Sequence, residues 1–305
     1  HSAMASAMAR KLCPDLIIIR PDMEKYRKAS ELIHQVFQHY TELIEPLSLD
    51  EAFLDVSDCS QYFGSATRIA KAIRQEVQRS VGITISAGIA PNKFLAKIAS
   101  DWKKPNGQFV IRPEQVAAFV ATLPVKKLHG VGKVTAAKMK RLGLECCEDL
   151  RQLGEEELRA HFGSFGERLY NLSQGIDNRA VQTDRIRKSL SVENTYAEDL
   201  PSLESCLKAL PALEAQLLKR MQNLKDSYQI QKQFVKIKFH NFVSTTVEMI
   251  SSTTDSDNYR ALCELGFARG NKPVRLLGMG VRLIPLTESS TTENERDQLS
   301  LSLDS

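Results

Sequence analysis

The chain has 305 residues, 42% hydrophobic and 26% charged, enough for two or three domains and ordinary for a water-soluble fold. Forty-one Lys and Arg against 37 Asp and Glu leave a net charge of only +4, so overall charge alone does not point to a nucleic-acid partner. A collagen and a wholly disordered chain are excluded, and no apolar run is long enough to span a bilayer.

The start, His1-Ser2-Ala3-Met4, lacks a charged-then-apolar signal layout and reads as an interior position of a longer chain. An Ala- and Met-rich helix is expected from there until Pro14 stops it. Residues 16–19 read as a short buried strand, and residues 23–40 as a helix with Ile33, Val36, Phe37 and Tyr40 on its buried face. Strand-like stretches at 41–45 and 52–56 flank residues 46–51 and predict a hairpin. A helix over 65–80, a strand over 84–89, a helix over 92–101, the turn Lys104-Pro105-Asn106-Gly107 and a strand over 109–111 complete a layered sheet-and-helix segment. From about 112 to 181 strand signals vanish and glycines punctuate short helices, which predicts a small all-helical domain. Residues 182–188 are polar and basic and read as a linker.

Beyond the linker the expected order is strand (189–196), helix (202–227), two strands (234–239 and 245–250), helix (258–268) and strand (274–284). This β-α-β-β-α-β order puts helices on one face of a four-stranded sheet and leaves the other face open. Leu207, Leu210, Leu213, Leu217, Leu218 and Met221 form the stripe expected in its core. Residues 182–286 carry 15 basic against 11 acidic side chains, the most basic stretch; residues 287–305 carry one against five and read as a disordered tail. The fold class is therefore α+β, in several domains. Six cysteines without a C-x-x-C pair match neither a disulfide framework nor a zinc site, and are expected as reduced thiols in the cytoplasm.

Asp50 and Glu51, within Ser48-Leu49-Asp50-Glu51-Ala52-Phe53-Leu54-Asp55-Val56, carry the chemical argument. On a straight strand they would point to opposite faces, so they can share a ligand only at a bend such as a hairpin tip. Hard oxygen donors at a bend suit Mg²⁺, which takes one or two carboxylates plus substrate phosphates. Asp-Glu is also ordinary turn chemistry, so context has to decide. That context is Ala90-Pro91-Asn92-Lys93-Phe94-Leu95-Ala96-Lys97-Ile98-Ala99-Ser100-Asp101-Trp102-Lys103-Lys104-Pro105-Asn106-Gly107. Taken with residues 47–56 it resembles the palm of the Y-family translesion DNA polymerases, and the resemblance extends over nearly the whole chain.

The resemblance implies an error-prone DNA-templated DNA polymerase that transfers a nucleotide to a primer 3′-hydroxyl. It implies two Mg²⁺ ions on Asp50 and Glu51, with Lys104 at the incoming triphosphate. It also implies the end of a fingers region at 1–21, a palm at 22–111, a thumb at 112–181, the linker at 182–188, a little finger at 189–286 and the tail at 287–305. By the same resemblance, a first palm strand with a third metal-binding Asp, and the fingers, belong to roughly fifty residues before His1. Poor polymerisation by this chain is the expected consequence; a non-catalytic module that binds DNA and the sliding clamp is the alternative.

Leu123 through Lys138 reads as a helix-hairpin-helix. Gly130 and Gly132 permit the tight turn, and the amides of Val131, Gly132 and Lys133 can point at a phosphate from the helix start. Residues 162–166 suggest a second, weaker hairpin, and His129 reads as a packing residue. Arg187, Lys188, Ser189 and Ser191 resemble the start of the family's little finger, where an open sheet face tracks the DNA backbone; Lys236, Lys238, Arg275 and Arg282 would add phosphate contacts. Gln298, Leu299, Leu301 and Leu303 resemble the bacterial sliding-clamp-binding peptide. The implied partners are primer-template DNA, a deoxynucleoside triphosphate and the bacterial sliding clamp, with no membrane and a monomeric chain.

Overall fold

The computed structural model describes residues 4–184, 186–222, 224 and 227–286, and the chain divides into two compact units between residues 184 and 185. In the first unit, helix α1 (Ser6–Leu12) stops before Pro14, whose ring disfavours helical geometry at Cys13. Residues 16–19, expected as a buried strand, form none and are exposed, Ile17 to 84% and Ile19 to 83%. Their apolar run is a strand signal in composition only. Among the described residues no strand hydrogen-bonds to them, and a strand exists through its ladder.

Helix α2 (Met23–Gln38) is capped by Asp22, which accepts from the amides of Glu24 and Lys25. Its predicted face of Ile33, Val36, Phe37 and Tyr40 packs on helix α3 (Ala66–Val81), where Ile69, Ile73 and Val77 repeat every fourth residue. Gly82, at φ 78°, ends α3 in the left-handed conformation that favours glycine. Between these helices runs the hairpin of β1 (Ile44–Pro46) and β2 (Ala52–Leu54), antiparallel with Glu45 opposite Phe53. Strands β3 (Ala87–Ile89) and β4 (Gln108–Val110) are parallel and joined by helix α4 (Lys93–Trp102). The strands are shorter than the sequence pattern indicates, and they form two separate pairs.

Helices α5 (Val116–Ala121), α6 (Lys133–Arg141), α7 (Cys147–Leu153), α8 (Glu155–Phe162) and α9 (Ser164–Ser173) follow. Their core of Val120, Leu123, Leu128, Met139, Leu150, Leu158 and Leu169 is continuous with Phe94, Leu95 and Ile98 of α4. Helix α4 is thus buried between strands and helices. It is the element best placed to hold side chains still.

The second unit is β5 (Ser189–Leu200), α10 (Leu203–Met221), β6 (Tyr228–Phe239), β7 (Ser244–Ile250), α11 (Ser256–Ala268) and β8 (Val274–Pro285). The sheet order is β5-β8-β6-β7, every neighbouring pair antiparallel, so β5 and β6 run parallel with β8 inserted between them. This is the split β-α-β arrangement expected from the element order. Alternation sends Leu190, Val192, Val235, Ile237, Val247, Leu277, Met279 and Val281 into the core under the two helices. The helical stripe is buried at Leu210, Leu213 and Leu217, but Leu218, expected with them, is 42% exposed. It lies about 100° round the helix from Leu217, beyond the edge of the stripe. The six cysteines form no disulfide, and no helix among the described residues is long and apolar enough to cross a membrane.

Candidate functional site

The loop between β1 and β2 closes when the amides of Leu47 and Ser48 donate to the Glu51 carbonyl at 2.8 and 3.3 Å, so Asp50 and Glu51 fall at its end, just before β2. Asp50 is held locally. The Ser48 hydroxyl donates to its Oδ1 at 2.7 Å and accepts its amide at 3.1 Å. Glu51 faces α4 and is paired with Lys97 at 2.5 Å. Helix α4 carries Lys93, Lys97 and Asp101 at four-residue intervals, one above the next on one side. Lys93 meets Glu45 of β1 at 2.6 Å, Lys97 meets Glu51, and Asp101 meets Lys104 at 2.6 Å.

These contacts set the local electrostatics. Burial works to raise the Asp101 carboxyl, but the hydrogen bond from Lys104 and the charges of Lys97, Lys104 and Lys127 outweigh it and hold it below its ordinary value. The hydrogen bond to Asp101 raises the pKa of Lys104 against partial burial; Glu51 and Asp50 add to the rise through their charge. Lys104 therefore stays an ammonium within the field of both candidate metal ligands.

The turn that presents Lys104 has a steric reason for its sequence. A Cβ at Gly107 would lie 1.5 Å from the Lys103 carbonyl oxygen, so only glycine fits. The Arg74 guanidinium of α3 donates to the Asn106 carbonyl at 2.5 Å and to its Oδ1 at 2.7 Å, and to the Ile85 carbonyl at 3.0 Å. Gly88 likewise has a virtual Cβ 2.1 Å from the Ala96 carbonyl oxygen, which lets β3 press against α4.

Sequence reasoning singled out neither Arg74 nor Glu45, and gave Lys93 and Lys97 no definite role. Lys93 is 8% exposed and also donates to the Ala180 carbonyl at 2.8 Å, while Glu45 accepts the Gln182 amide at 2.9 Å. Nearby, Asp177 accepts the Phe94 amide at 3.0 Å and Asn92 donates to the Gly175 carbonyl at 2.8 Å. The start of α4 and strand β1 together pin residues 175–182. The i, i+4 spacing of lysines on α4 was visible in the sequence; their acceptors, more than 40 residues away in the chain, were not.

In the helix-hairpin-helix, Gly130 takes φ 95° and lies against the Phe165 ring, whose atoms are 3.0 Å from its virtual Cβ. Helix α6 begins with Gly132 as its cap and Lys133 as its first residue, without a side-chain cap bond. Their amides are the orphan donors of a helix start. The Val131 amide, expected to join them, instead donates to the Leu128 carbonyl at 3.1 Å, because the tight turn closes on itself there. His129, expected to pack, is exposed, as are Lys126, Lys127 and Lys133. Around Gly163 the chain passes from α8 to α9, and Gly166 lets the two helices cross with a virtual Cβ 2.3 Å from the Leu158 carbonyl oxygen.

On the second unit, strand alternation and register lay out the open face in rows across β5, β8, β6 and β7. They read Ser189, Arg282, Lys232, Ile250; Ser191, Gly280, Phe234, Glu248; Glu193, Gly278, Lys236, Thr246; and Thr195, Leu276, Lys238, Ser244. Ser189 and Ser191 are on this face as expected from period two. The Arg187 amide donates to the Tyr228 hydroxyl at 3.2 Å and the Lys188 carbonyl accepts from Leu283 at 3.0 Å, which fixes the approach to β5. Lys238 and Arg275 both lie over the Phe242 ring, at 4.9 and 5.4 Å. Gln298, Leu299, Leu301 and Leu303 lie outside the described residues.

Three family descriptions match the chain in succession: the impB/mucB/samB family over residues 1–101, the thumb domain of DNA polymerase-iota over 126–177, and the impB/mucB/samB family C-terminal domain over 187–301. The DNA polymerase IV of Pseudomonas putida (strain GB-1) is 61% identical over 283 residues, covering 93% of this chain and 80% of the relative. A solved Y-family DNA polymerase chimera built from Dbh and Dpo4 superposes with a TM-score of 0.81 at 25% identity, covering 90% of this chain and 81% of the other. This chain belongs to the Y family of DNA polymerases, in the DNA polymerase IV branch. The DNA polymerase IV of Pseudomonas syringae pv. tomato is 59% identical over 289 residues, 95% of this chain and 82% of the relative. DinB from Sulfolobus solfataricus shares the fold with a TM-score of 0.60 at 24% identity, over 93% of this chain and 84% of the other. Membership makes the chain a DNA-directed DNA polymerase by family, with the α+β palm, helical thumb and split β-α-β little finger expected from its sequence.

Proposed function

We propose that this chain adds deoxynucleotides to a primer 3′-hydroxyl opposite a DNA template, as an error-prone translesion enzyme, and that Asp50 and Glu51 are the carboxylates of its nucleotidyl-transfer site. The observation that carries the reading is the alignment of Glu51, Lys97, Asp101 and Lys104 along one side of a buried helix, next to Asp50. Adjacent oxygen donors of this kind fit Mg²⁺, and Asp50 and Glu51 would hold it. Bound there, the metal would supply Lewis-acid activation of the hydroxyl and neutralisation of the triphosphate.

The chain's own side chains do the rest. Ser48 keeps Asp50 oriented, Lys97 keeps Glu51 in place, and Lys104 offsets negative charge on the triphosphate as a compact cation. The amides of Gly132 and Lys133 hold a backbone phosphate, with Lys126 and Lys127 beside them, while Arg187, Lys188, Ser189 and Ser191 follow the duplex on the little finger. Gln298, Leu299, Leu301 and Leu303 engage the bacterial sliding clamp, and the enzyme works as a cytoplasmic monomer.

Among the described residues no group of three or more His, Cys, Asp or Glu side chains is arranged to hold a metal. The test is single-nucleotide incorporation on a primed template with Mg²⁺. Extension by this chain that falls at least about a hundredfold in Glu51→Gln supports the assignment. Tight binding of primed DNA with no extension under any Mg²⁺ concentration would leave the non-catalytic DNA- and clamp-binding module instead.

A further inference from the structure

The open face of the little-finger sheet carries its own anions. Lys236 is paired with Glu193 at 2.8 Å, and Glu248 is forked between Lys232 and Arg282, each at 3.0 Å. Register explains how these side chains meet. Glu193 on β5 and Lys236 on β6 occupy one row with Gly278 of β8 between them, and Glu248 on β7 is separated from Arg282 on β8 by β6. Two strand spacings of about 4.8 Å would normally put an intervening side chain in the way. Gly278 has none, and a Cβ there would lie 2.8 Å from that of Glu193. Gly280, one row on, leaves room for the Phe234 ring to lie down, and Arg282 passes 4.9 Å over that ring on its way to Glu248.

We propose that Glu193 and Glu248 are built-in competitors of DNA phosphate: they occupy Lys236, Lys232 and Arg282 until the duplex arrives, so that binding at this face exchanges one anion for another. The inference rests on the reading of this face as a DNA-holding surface, and deepens it. A free cation that neutralises a phosphate releases nearly one of the counterions condensed on the DNA, whereas a cation that must leave a carboxylate to do so strands that negative charge beside the duplex, where it takes up a salt cation and cancels most of the net release. The face therefore grips duplex DNA weakly and with little dependence on salt for the number of basic residues it displays. The pairs are part-exposed, with side-chain exposures between 34% and 47%, so they are strong enough to form and weak enough to open. Glu248 is kept ionised by its two partners, its carboxyl held below the ordinary range first by the Lys232 hydrogen bond and then by that of Arg282.

The experiment uses the whole chain and a fluorescent primed duplex, with affinity measured by anisotropy across a NaCl series. Glu193→Gln and Glu248→Gln keep size and hydrogen-bonding capacity while removing the charge. Each is expected to bind roughly two- to fivefold tighter at low salt. The slope of log affinity against log salt should steepen by about one for E193Q and by about one for E248Q, because each substitution removes one negative charge from the face. Lys232→Gln, Lys236→Gln and Arg282→Gln are the companion variants. Weaker binding in these three, with affinity and slope unchanged in E193Q and E248Q, overturns the competition and leaves the DNA-holding face standing. No effect in any of the five overturns both.

Discussion

Removing the charge of Glu45 isolates the contact that pins residues 175–182 to α4. In Glu45→Gln the amide still accepts from Lys93 and from the Gln182 amide, but the Lys93 ammonium, 8% exposed, has lost the carboxylate charge that stood 2.6 Å away. Breaking a dry ion pair from one side costs about 3–5 kcal/mol; Glu45 keeps 21% exposure, which lowers the expectation to roughly 2–4 kcal/mol. For a unit of this size that is a fall of roughly 5–12 °C in melting temperature. Trp102, the single tryptophan, is packed 5.7 Å from the Phe109 ring and 5.0 Å from the Phe119 ring, so its fluorescence follows the first unit alone. Burial works to raise the Glu45 carboxyl, but the hydrogen bonds from Lys93 and Gln182 and the charges of Lys93 and Arg179 hold it below its ordinary 4.5. A depressed carboxyl stabilises fully above its unfolded value and loses that contribution as the pH falls through its folded value. The gap between wild type and E45Q is therefore constant near neutrality and closes on acidification below about 4.5. Adding Lys93→Met removes the stranded charge and recovers most of the loss. A melt of E45Q within about 1 °C of wild type, or a gap that persists at low pH, refutes the argument.

Gly107→Ala places a Cβ 1.5 Å from the Lys103 carbonyl oxygen, so the turn must open, with a stability loss of about 3 kcal/mol or more and a raised KM for the nucleotide. Gly132→Ala meets no atom within 4 Å and is expected to cost less than about 1 kcal/mol, which chemical denaturation of the two variants side by side will check. Lys133→Gln should lower the salt slope of duplex binding by about one without altering sequence preference, measured by anisotropy. Deleting residues 298–305 should abolish binding to the sliding clamp in surface plasmon resonance and leave binding to primed DNA unchanged; loss of both would sink the tail's assignment.

Much of the fold could be read from the chain because its signals are local. The periods of α2, α3 and α10 follow from spacing of apolar residues, and the caps Asp22, Ser202 and Asp255 sit where helices begin. The β-α-β-β-α-β order fixes the second unit because few topologies satisfy it. Residues 16–19 misled for a matching reason: four apolar residues in a row satisfy a compositional rule, but burial is decided by what packs against them. The Leu218 position failed by a single helical step, which a stripe drawn by eye does not resolve.

The candidate site divides along the same line between local and long-range information. Asp50 and Glu51 stood out as candidates because they share a short stretch at a bend, and Lys104 because the turn around it, with the Gly107 that makes room for it, resembles the family's. Lys97 and Lys93 carry the same residue type and spacing whether they face water or a carboxylate, and only the packing of α4 under the β1–β2 hairpin distinguishes the two. The little-finger cations show the effect most clearly. Lys236 and Arg282 read in sequence as free phosphate contacts, since their carboxylates lie 43 and 34 residues away. Placing Glu193 beside Lys236 requires β8 to lie between their strands with a glycine at the crossing, a conjunction of register and residue size that no one-dimensional pattern contains. Basic residues counted along a chain therefore overstate the charge a folded sheet presents to DNA.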